Sequence, residues 1–179
     1  MSFALAQELG KKNPFDLPEE EALLNIVRTS AALSIAFERE FRQYDLTDAS
    51  YNVLRILRGS GPSGKLCSQV GRELVAQGPD VTRLIDRLER KGLCERRRST
   101  TDRRAIWVVI TPSGLDLVNR LDEPVKALLK KALGHMSRKE LELVSELLVK
   151  VRTPVCEQAL AAAEASSSES PKVQPKANQ

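Results

Sequence analysis

The chain has 179 residues, a length that suits one domain, and its core must be aliphatic because 41% of the residues are hydrophobic but only 4% are aromatic. The formal net charge of +4 points to an anionic partner. Three cysteines without pairing-type spacing and a single histidine argue against disulfides and a zinc site, and no apolar run is long enough for a membrane span, so we expect a cytoplasmic protein without metal or cofactor.

Residues 1–45 are predicted to form an N-terminal arm and a dimerisation helix. Gly10, Pro14 and Pro18 interrupt the first 18 residues, which predicts an arm with little structure of its own. Pro18 and the three glutamates after it suit the first turn of a helix that runs to about Gln43. Its apolar side chains are Leu23, Ile26, Val27, Ala31, Ile35 and Phe37. This is more apolar surface than one small domain buries, so part of the helix should contact a second subunit.

Two shorter helices are predicted next. Thr47 suits the N-cap of a helix over residues 48–58. Its inward-facing residues should be Val53, Leu54 and Leu57. After a glycine-rich loop over 59–64, a helix over about 67–76 would form the first half of a helix-turn-helix.

The next segment, residues 81–90, has the pattern of an amphipathic helix with two distinct faces. The apolar face carries Val81, Leu84, Ile85 and Leu88, and the basic face carries Arg83, Arg87 and Arg90. Asp80 stands at the N-cap position, and Gly92 suits the left-handed residue that ends a helix.

The periodicity then changes from that of a helix to that of strands. Residues 93–98 and 105–111 are predicted strands, and residues 99–104 form the polar tip between them. A helix followed at once by an arginine-rich hairpin predicts a winged helix-turn-helix domain over 46–111. The fold class is therefore mainly α with a small β-hairpin wing, flanked by dimerisation helices.

This helix and hairpin carry all the excess charge of the protein. Between Asp80 and Arg104, nine basic residues stand against five acidic ones, a difference of +4 that equals the formal net charge of the chain. Such a patch is typical of phosphate binding. The alternative is a solvated helix face with a charged hairpin that protects a sheet edge.

Three short motifs occur here in a fixed order. Leu88 to Leu93 read L-x-x-x-G-L, Asp102-Arg103-Arg104 lie in the tip, and residues 111–114 read Thr-Pro-Ser-Gly. Together they resemble the MarR family of bacterial transcriptional regulators over about residues 20–160. The resemblance implies a dimer that binds a pseudo-palindromic operator in double-stranded DNA. It also implies that Arg104 enters the minor groove while Asp102 orients it.

The candidate DNA contacts follow from these positions. Residues at the start of a recognition helix approach base edges, so Arg83 should pair with guanine and Arg87 with phosphate or a base. Asp80 could equally be a simple N-cap, and Pro79-Asp80 departs from the small hydroxyl residues common in the family. The full predicted set is Ser68, Gln69, Asp80, Thr82, Arg83, Arg87, Arg90, Arg96, Arg98, Asp102, Arg103 and Arg104. Arginines 96–98 alternate between faces, so not all reach DNA, and Arg97 could instead pair with an acid.

Residues 112–163 are predicted to form C-terminal dimerisation helices. Thr111 and Pro112 suit the start of a long helix, and Pro124 should kink or split it. Ser137 with Glu140 forms a capping box that opens a final helix, which Pro154 should bend or interrupt. The apolar seams of these helices are Val118, Leu121, Val125 and Leu128, then Leu141, Val144, Leu148 and Val151. Residues 164–179 have the composition of a disordered tail.

Three functional readings remain open from the sequence. The first is a dimeric transcription regulator, for which the resemblance implies a repressor released by a small aromatic or phenolic ligand. The second is a winged-helix module that binds a protein, although the tip at 99–104 lacks the apolar anchors such a surface needs. The third is a thiol-based redox sensor, with Cys67 near a helix start and Lys65 as its candidate. An enzyme is not expected, since one histidine provides no nucleophile–base pair.

Overall fold

The structure, a computed structural model, describes residues 4–75, 80–98 and 105–168, with residues 4 and 159–168 described by their backbone alone. The helices are α1 (Ala4–Glu8), α2 (Pro18–Arg42), α3 (Asp48–Gly59), α4 (Cys67–Glu73), α5 (Val81–Arg90), α6 (Pro112–Arg120), α7 (Asp122–Leu133) and α8 (Arg138–Ser168). The strands are β1 (Lys65–Leu66), β2 (Cys94–Arg98) and β3 (Ile106–Ile110). The predicted fold class, mainly α with a small β-hairpin wing, is confirmed, and the dimerisation role of the flanking helices stays a prediction. The chain divides into two compact units, one ending at Ala132 and the other beginning at Leu133.

The sheet of the first unit is antiparallel with the strand order β1-β3-β2. The predicted hairpin is confirmed, since Cys94 pairs with Ile110 at its base and Arg98 pairs with Ile106 near its tip. Strand β1 was not predicted, because two residues are too few to show a period. It pairs with β3 through Lys65 opposite Val108 and extends the hairpin into a three-stranded sheet.

The core of the first unit lies between α3, α5, β3 and α6. The predicted inward faces are confirmed, since Val53, Leu54, Leu57, Ile85 and Leu88 are fully buried, and Leu84 is nearly so. Fully burying each such aliphatic side chain contributes roughly 1.5–3 kcal/mol. Helix α5 is therefore fixed to the domain by its apolar side, and its polar sides face away from the core.

Side-chain hydrogen bonds cap α3 and α6 at the residues where the sequence predicts their beginnings. The Thr47 hydroxyl accepts from the Ser50 amide at 3.2 Å, and the Thr111 hydroxyl accepts from the Gly114 amide at 3.1 Å. The Thr111 hydroxyl also donates to the carbonyl oxygen of Gly92 at 2.6 Å. Gly92 has a φ of +69°, as predicted for the residue that ends α5. Thr111 therefore joins the end of α5 to the beginning of α6.

Two predictions for the N-terminal half are corrected. The arm contains the short helix α1, whose Leu5 and Ala6 are buried and whose Glu8 pairs with Arg28 of α2 at 2.8 Å. Helix α4 ends at Glu73 instead of about residue 76, because Leu74 adopts an extended conformation and buries its side chain in the core.

The predicted split near Pro124 is confirmed, and it falls between α6 and α7 at the buried Leu121. Pro124 lies in the first turn of α7, where its missing amide hydrogen is tolerated. The Arg58 guanidinium of α3 donates to both carboxylate oxygens of Asp122, at 2.9 and 3.0 Å, and to Asn119 at 3.0 Å. This ion pair holds the break between the two helices against α3.

We predict that the Arg58–Asp122 pair makes the free energy of unfolding fall at acidic pH. Hydrogen bonding to Arg58 lowers the pKa of Asp122 below its ordinary value. The pair therefore stabilises the fold above the unfolded-state pKa, about 3.9 for aspartate, and this contribution is lost as the pH falls through the lower folded pKa. Urea unfolding should show Asp122→Asn less stable than wild type at pH 7, and the difference should shrink steadily as the pH is lowered below about 3.9. A constant difference at both pH values would contradict this.

Helix α2 is largely exposed. Of its residues, all of which the structure describes, Phe41 alone is buried. Leu23, Val27 and Ile35 are exposed large apolar side chains, as predicted for a helix with more apolar surface than the domain can cover.

The second unit consists mainly of helix α8. Its predicted capping box is confirmed, since the Ser137 amide donates to Glu140 at 2.8 Å and the Ser137 hydroxyl accepts from the Glu140 amide at 3.4 Å. Two expectations are corrected: α8 is not interrupted at Pro154, where a bend stays a prediction, and its backbone stays helical to Ser168, inside the predicted tail. Among the α8 side chains that the structure describes, the exposed large apolar ones are Leu143, Val144, Leu147, Leu148, Val149, Val151 and Val155. Within the described residues, no helix is long and apolar enough to cross a membrane.

Candidate nucleic-acid interface

The three sides of helix α5 have different partners. One side is the buried apolar face. A second side carries Arg83, Arg87 and Arg90, all exposed. The third carries Asp86 and Glu89, whose carboxylates contact Arg96 of strand β2, and Thr82, whose backbone carbonyl accepts from the same side chain. The basic side is thus the one that α5 presents to an external partner.

Asp80 caps the N-terminus of α5, next to the first arginine of the basic side. Its carboxylate accepts from the Arg83 amide at 3.2 Å, which confirms the N-cap alternative for this residue. It also lies 3.1 Å from Nε of Arg83, whose side chain is 86% exposed. Asp80 therefore caps the helix and restrains the arginine predicted to read a base, and a direct base contact by Asp80 would compete with both roles.

The structure supports Arg87, Arg90 and Thr82 as surface residues of α5. All three are exposed, and among the described residues neither arginine has an ion-pair partner. Nε of Arg90 donates to the carbonyl oxygen of Asp86 at 3.3 Å, which keeps this side chain along the helix. Arg98, the last residue of β2, is likewise exposed.

Arg96 is placed differently from the sequence-based prediction. Its guanidinium lies 2.6 Å from Asp86 and 2.5 Å from Glu89, and only 23% of its side chain is exposed. Burial disfavours its charge, but the hydrogen bonds to Asp86 and Glu89 outweigh burial and raise the pKa of Arg96. Because its charge is already matched within the domain, this geometry argues against a phosphate contact from Arg96.

Two further basic residues of the patch are also paired internally. Arg97 lies 2.5 Å from Glu95, as the alternation of strand faces suggested. Lys91, just after α5, lies 2.6 Å from Asp45, and hydrogen bonding to Lys91 lowers the pKa of that aspartate. The sequence did not predict this pair, which joins the end of α5 to the turn after α2. A count of charges along the sequence therefore overstates the number of cations available to DNA.

Helix α4 supplies the other part of the surface. Ser68 is exposed near its start and suits a phosphate contact. The Gln69 side chain is occupied, because it accepts from the Leu66 amide at 3.3 Å and so caps α4. Arg72, which the sequence analysis did not select, is exposed on the same short helix. Arg72 is not part of any basic pattern in the sequence. It becomes a candidate contact only because α4 packs beside α5.

The predicted wing-tip contacts Asp102, Arg103 and Arg104 lie outside the described residues, so their roles remain sequence-based predictions. The described parts of the wing, β2 and β3, form a regular antiparallel ladder that leads to this tip.

Cys67 does not have the features of a redox sensor. Burial raises its pKa, which disfavours the reactive thiolate. Lys65, the expected activating cation, is paired instead with Glu73 at 2.5 Å. Cys94 is less reactive still, because burial and the nearby Glu89 raise its pKa to about 12.

Comparisons with known proteins agree with this geometry. The MarR family model matches residues 46–106. A MarR transcription factor from Planctomyces limnophilus, known from its crystal structure, is 38% identical to this chain, with a TM-score of 0.60, and the match covers 75% of this chain and 98% of that one. The chain belongs to the MarR family.

Further proteins match the chain at lower identity. The HTH-type transcriptional regulator MhqR of Bacillus subtilis is 28% identical over 137 residues, which are 75% of this chain and 93% of MhqR. The crystal structure of the MepR–DNA complex from S. aureus has a TM-score of 0.66 at 23% identity and covers 75% of this chain and 96% of that one. This second likeness concerns the fold alone.

Within this MarR-family protein, the Thr-Pro-Ser-Gly motif has a structural explanation. Thr111 caps α6, and Pro112 occupies the first position of the helix, where no amide donor is needed. A side chain at Gly114 would collide with the carbonyl group of Leu93, at the base of the wing. The motif therefore fixes where the hairpin joins the following helix.

Proposed function

We propose that this protein is a dimeric, sequence-specific DNA-binding transcription regulator. The observation that carries the proposal is the division of α5 into a buried face, an internally neutralised acidic side and an exposed basic side. The basic side would enter the major groove, and the wing tip would approach the adjacent minor groove. MepR of S. aureus, which shares the fold, is known in complex with DNA, and this supports the proposal.

The direct test is to recover the DNA that the purified protein retains. Genomic fragments bound by the protein should share a pseudo-palindromic sequence, and binding to it should exceed binding to unrelated DNA by at least about 10³-fold at physiological salt. Fragments without a shared sequence would contradict the proposal. A winged-helix module that binds a protein would retain no DNA fragments with a shared sequence.

The dimeric state is inferred from apolar surface that one subunit leaves uncovered. Leu23, Val27 and Ile35 of α2 are exposed, and α8 exposes seven large apolar residues from Leu143 to Val155. Soluble monomers rarely expose contiguous apolar surface of this kind. A two-fold homodimer is the simplest arrangement that would cover it, because each subunit supplies the same surface.

We predict that the protein is a dimer at micromolar concentration and that apolar α8 residues stabilise it. Light scattering should give twice the mass of the chain. Val144→Lys combined with Leu148→Lys should shift this mass towards the monomer, because charges on an apolar interface are unfavourable. The matched control is Lys150→Glu on the same helix, which should leave the mass unchanged. A monomeric wild-type protein would contradict the prediction.

We further propose that the protein acts as a repressor that a small aromatic or phenolic ligand releases, as the family resemblance implies. A cleft of about 560 Å³ lies where the end of α2 meets the beginning of α3. It is lined by Glu38, Arg42, Leu46, Thr47, Asp48 and Ala49. Its lining carries one cation, Arg42, and two acids, Glu38 and Asp48, so it suits a neutral phenol, whose hydroxyl oxygen can accept from Arg42, better than an aromatic acid. DNA binding with and without simple phenols, in wild type and Arg42→Ala, tests this assignment: phenols should release wild type from DNA but not Arg42→Ala, and equal release of both would overturn it.

The alternatives have less support. The raised pKa values of Cys67 and Cys94 argue against thiol-based sensing. The curated relatives are transcription regulators rather than enzymes, which favours a non-enzymatic role. A protein that acts on the chromosome of a bacterium works in the cytoplasm, and we place this one there.

A further inference from the structure

We propose that Arg96 is a positioning residue that holds the recognition helix against the wing, and that it is not a DNA contact. This inference rests on the proposed DNA-binding function and assigns a role within that site. It starts from the internal partners of the Arg96 guanidinium, which none of the sequence motifs indicates.

Arg96 contacts helix α5 at three successive positions of one side. Its Nη1 donates to Oε2 of Glu89 at 2.5 Å, and its Nη2 lies 2.6 Å from Oδ1 of Asp86. Nη2 also donates to the backbone carbonyl of Thr82 at 3.3 Å. Groups from residues spread over about two turns of the helix therefore converge on one planar guanidinium, whose separate donors bind them at the same time, as a single point charge would not.

The backbone of Arg96 strengthens this connection. Its amide donates to Oε1 of Glu89 at 2.9 Å, so Glu89 accepts from both the main chain and the side chain of Arg96. Strand β2 leads directly into the wing tip, and its partner α5 carries Arg83, Arg87 and Arg90. The contacts of Arg96 thus set the angle between the two parts of the protein that would bind neighbouring grooves.

Arg96 also neutralises charge that would repel DNA. Asp86 and Glu89 are the acidic residues on the side of α5 next to its basic face, and each lies within ion-pair distance of Arg96. Without this guanidinium, two carboxylates on the recognition helix would face the polyanion uncompensated. Because 77% of the Arg96 side chain is covered by the domain, little of it remains for a phosphate.

The experiment is a mutant cycle measured on the operator DNA recovered above. Arg96→Met should weaken binding about tenfold in the wild-type background, the effect of losing charge-assisted hydrogen bonds of this kind. In the Asp86→Asn/Glu89→Gln background the same substitution should have less than about a threefold effect, because no carboxylate is left to be held or neutralised. The triple variant should keep the wild-type slope of log affinity against log salt, since no phosphate contact has been removed.

Two further variants separate positioning from simple charge. Arg96→Lys should lose most of the affinity that Arg96→Met loses, because an ammonium cannot replace the planar fork, whereas a phosphate contact would largely tolerate lysine. Arg97→Met is the matched control, since Arg97 is the next residue of β2 and pairs only with Glu95 among the described residues. It should change affinity less than about twofold, as expected for an exposed ion pair. Circular dichroism should show that every variant is folded.

The outcomes distinguish this inference from the proposed function. If the wild-type protein binds the operator and Arg96→Met has equal effects in both backgrounds, with the salt slope falling by about one in each, Arg96 is a phosphate contact and the inference is wrong. If the wild-type protein binds no DNA, the proposed function fails. The free energies of unfolding of the same variants, measured in urea, then decide the inference. If Arg96→Met destabilises the wild type more than the Asp86→Asn/Glu89→Gln variant, the inference holds. If it destabilises both equally, the inference is wrong.

Discussion

Replacing Arg83 with alanine is expected to weaken operator binding by about 1–3 kcal/mol and to relax the base preference at one position of each half-site. Arg83 is the first arginine of the exposed side of α5, and Asp80 restrains it at the N-terminal end, where recognition helices meet base edges. The measurement is binding to a panel of operators in which each position carries all four base pairs, at two salt concentrations.

The matched control for Arg83→Ala is Arg138→Ala. Both arginines are highly exposed, at 86% and 92%, and both form an ion pair with an acid of the same chain close by, Asp80 or Glu142. Arg138 lies on α8, outside the proposed interface, so its substitution should leave affinity and base preference unchanged. If Arg83→Ala weakens binding equally on every operator of the panel, Arg83 is a phosphate contact and its base-reading role is wrong.

The wing arginine Arg104 should behave differently in the same assay. The resemblance to the MarR family implies that it enters the minor groove, where the readout follows groove width and separates mainly A·T from G·C pairs. Arg104→Ala should therefore weaken binding most on operators with A·T-rich flanks. Asp102→Ala should produce a milder form of the same loss, because it removes the orienting partner and leaves the cation. Uniform losses across all flanks would contradict this assignment.

Gly114→Ala is expected to have the largest effect on stability, about 3 kcal/mol or more, because the added methyl group meets main-chain atoms that cannot move aside. A Cβ at this position would collide with the carbonyl oxygen of Leu93 and lie 2.9 Å from its carbonyl carbon and 3.0 Å from Cγ1 of Ile110. Leu93 and Ile110 stand at the base of the two wing strands. The substitution would force α6 away from the wing.

Gly59→Ala provides the matched control for this effect. Gly59 is the last residue of α3, and a Cβ there would have no neighbour within 4 Å. Alanine is favoured over glycine in a helix by up to about 1 kcal/mol, so this variant should be as stable as wild type or slightly more so. Urea unfolding of the two variants decides the matter. Equal stability of Gly114→Ala and wild type would show that the junction of the wing and α6 tolerates a shift.

Local features of the sequence were enough to predict the individual elements and their ends. Thr47, Asp80 and Thr111 start helices because their side chains accept from amides three residues away. The apolar spacing of α5 identified its buried side for a similar reason, since the geometry of a helix relates neighbours three and four residues apart. The order of short motifs also identified the family, because those motifs mark the junctions between consecutive elements.

Contacts between distant parts of the chain were decided by the tertiary structure alone. Strand β1 exists because Lys65 lies opposite Val108, and Arg58 meets Asp122 across the packing of α3 against the break before α7. The alternation of arginines 96–98 showed that they point to opposite sides of β2, but it could not show which side faces α5. Packing of β2 beside α5 places Arg96, a residue predicted to contact DNA, against two carboxylates of the same chain. A sequence determines how much charge an element carries, whereas the pairing of that charge depends on which elements the fold brings together.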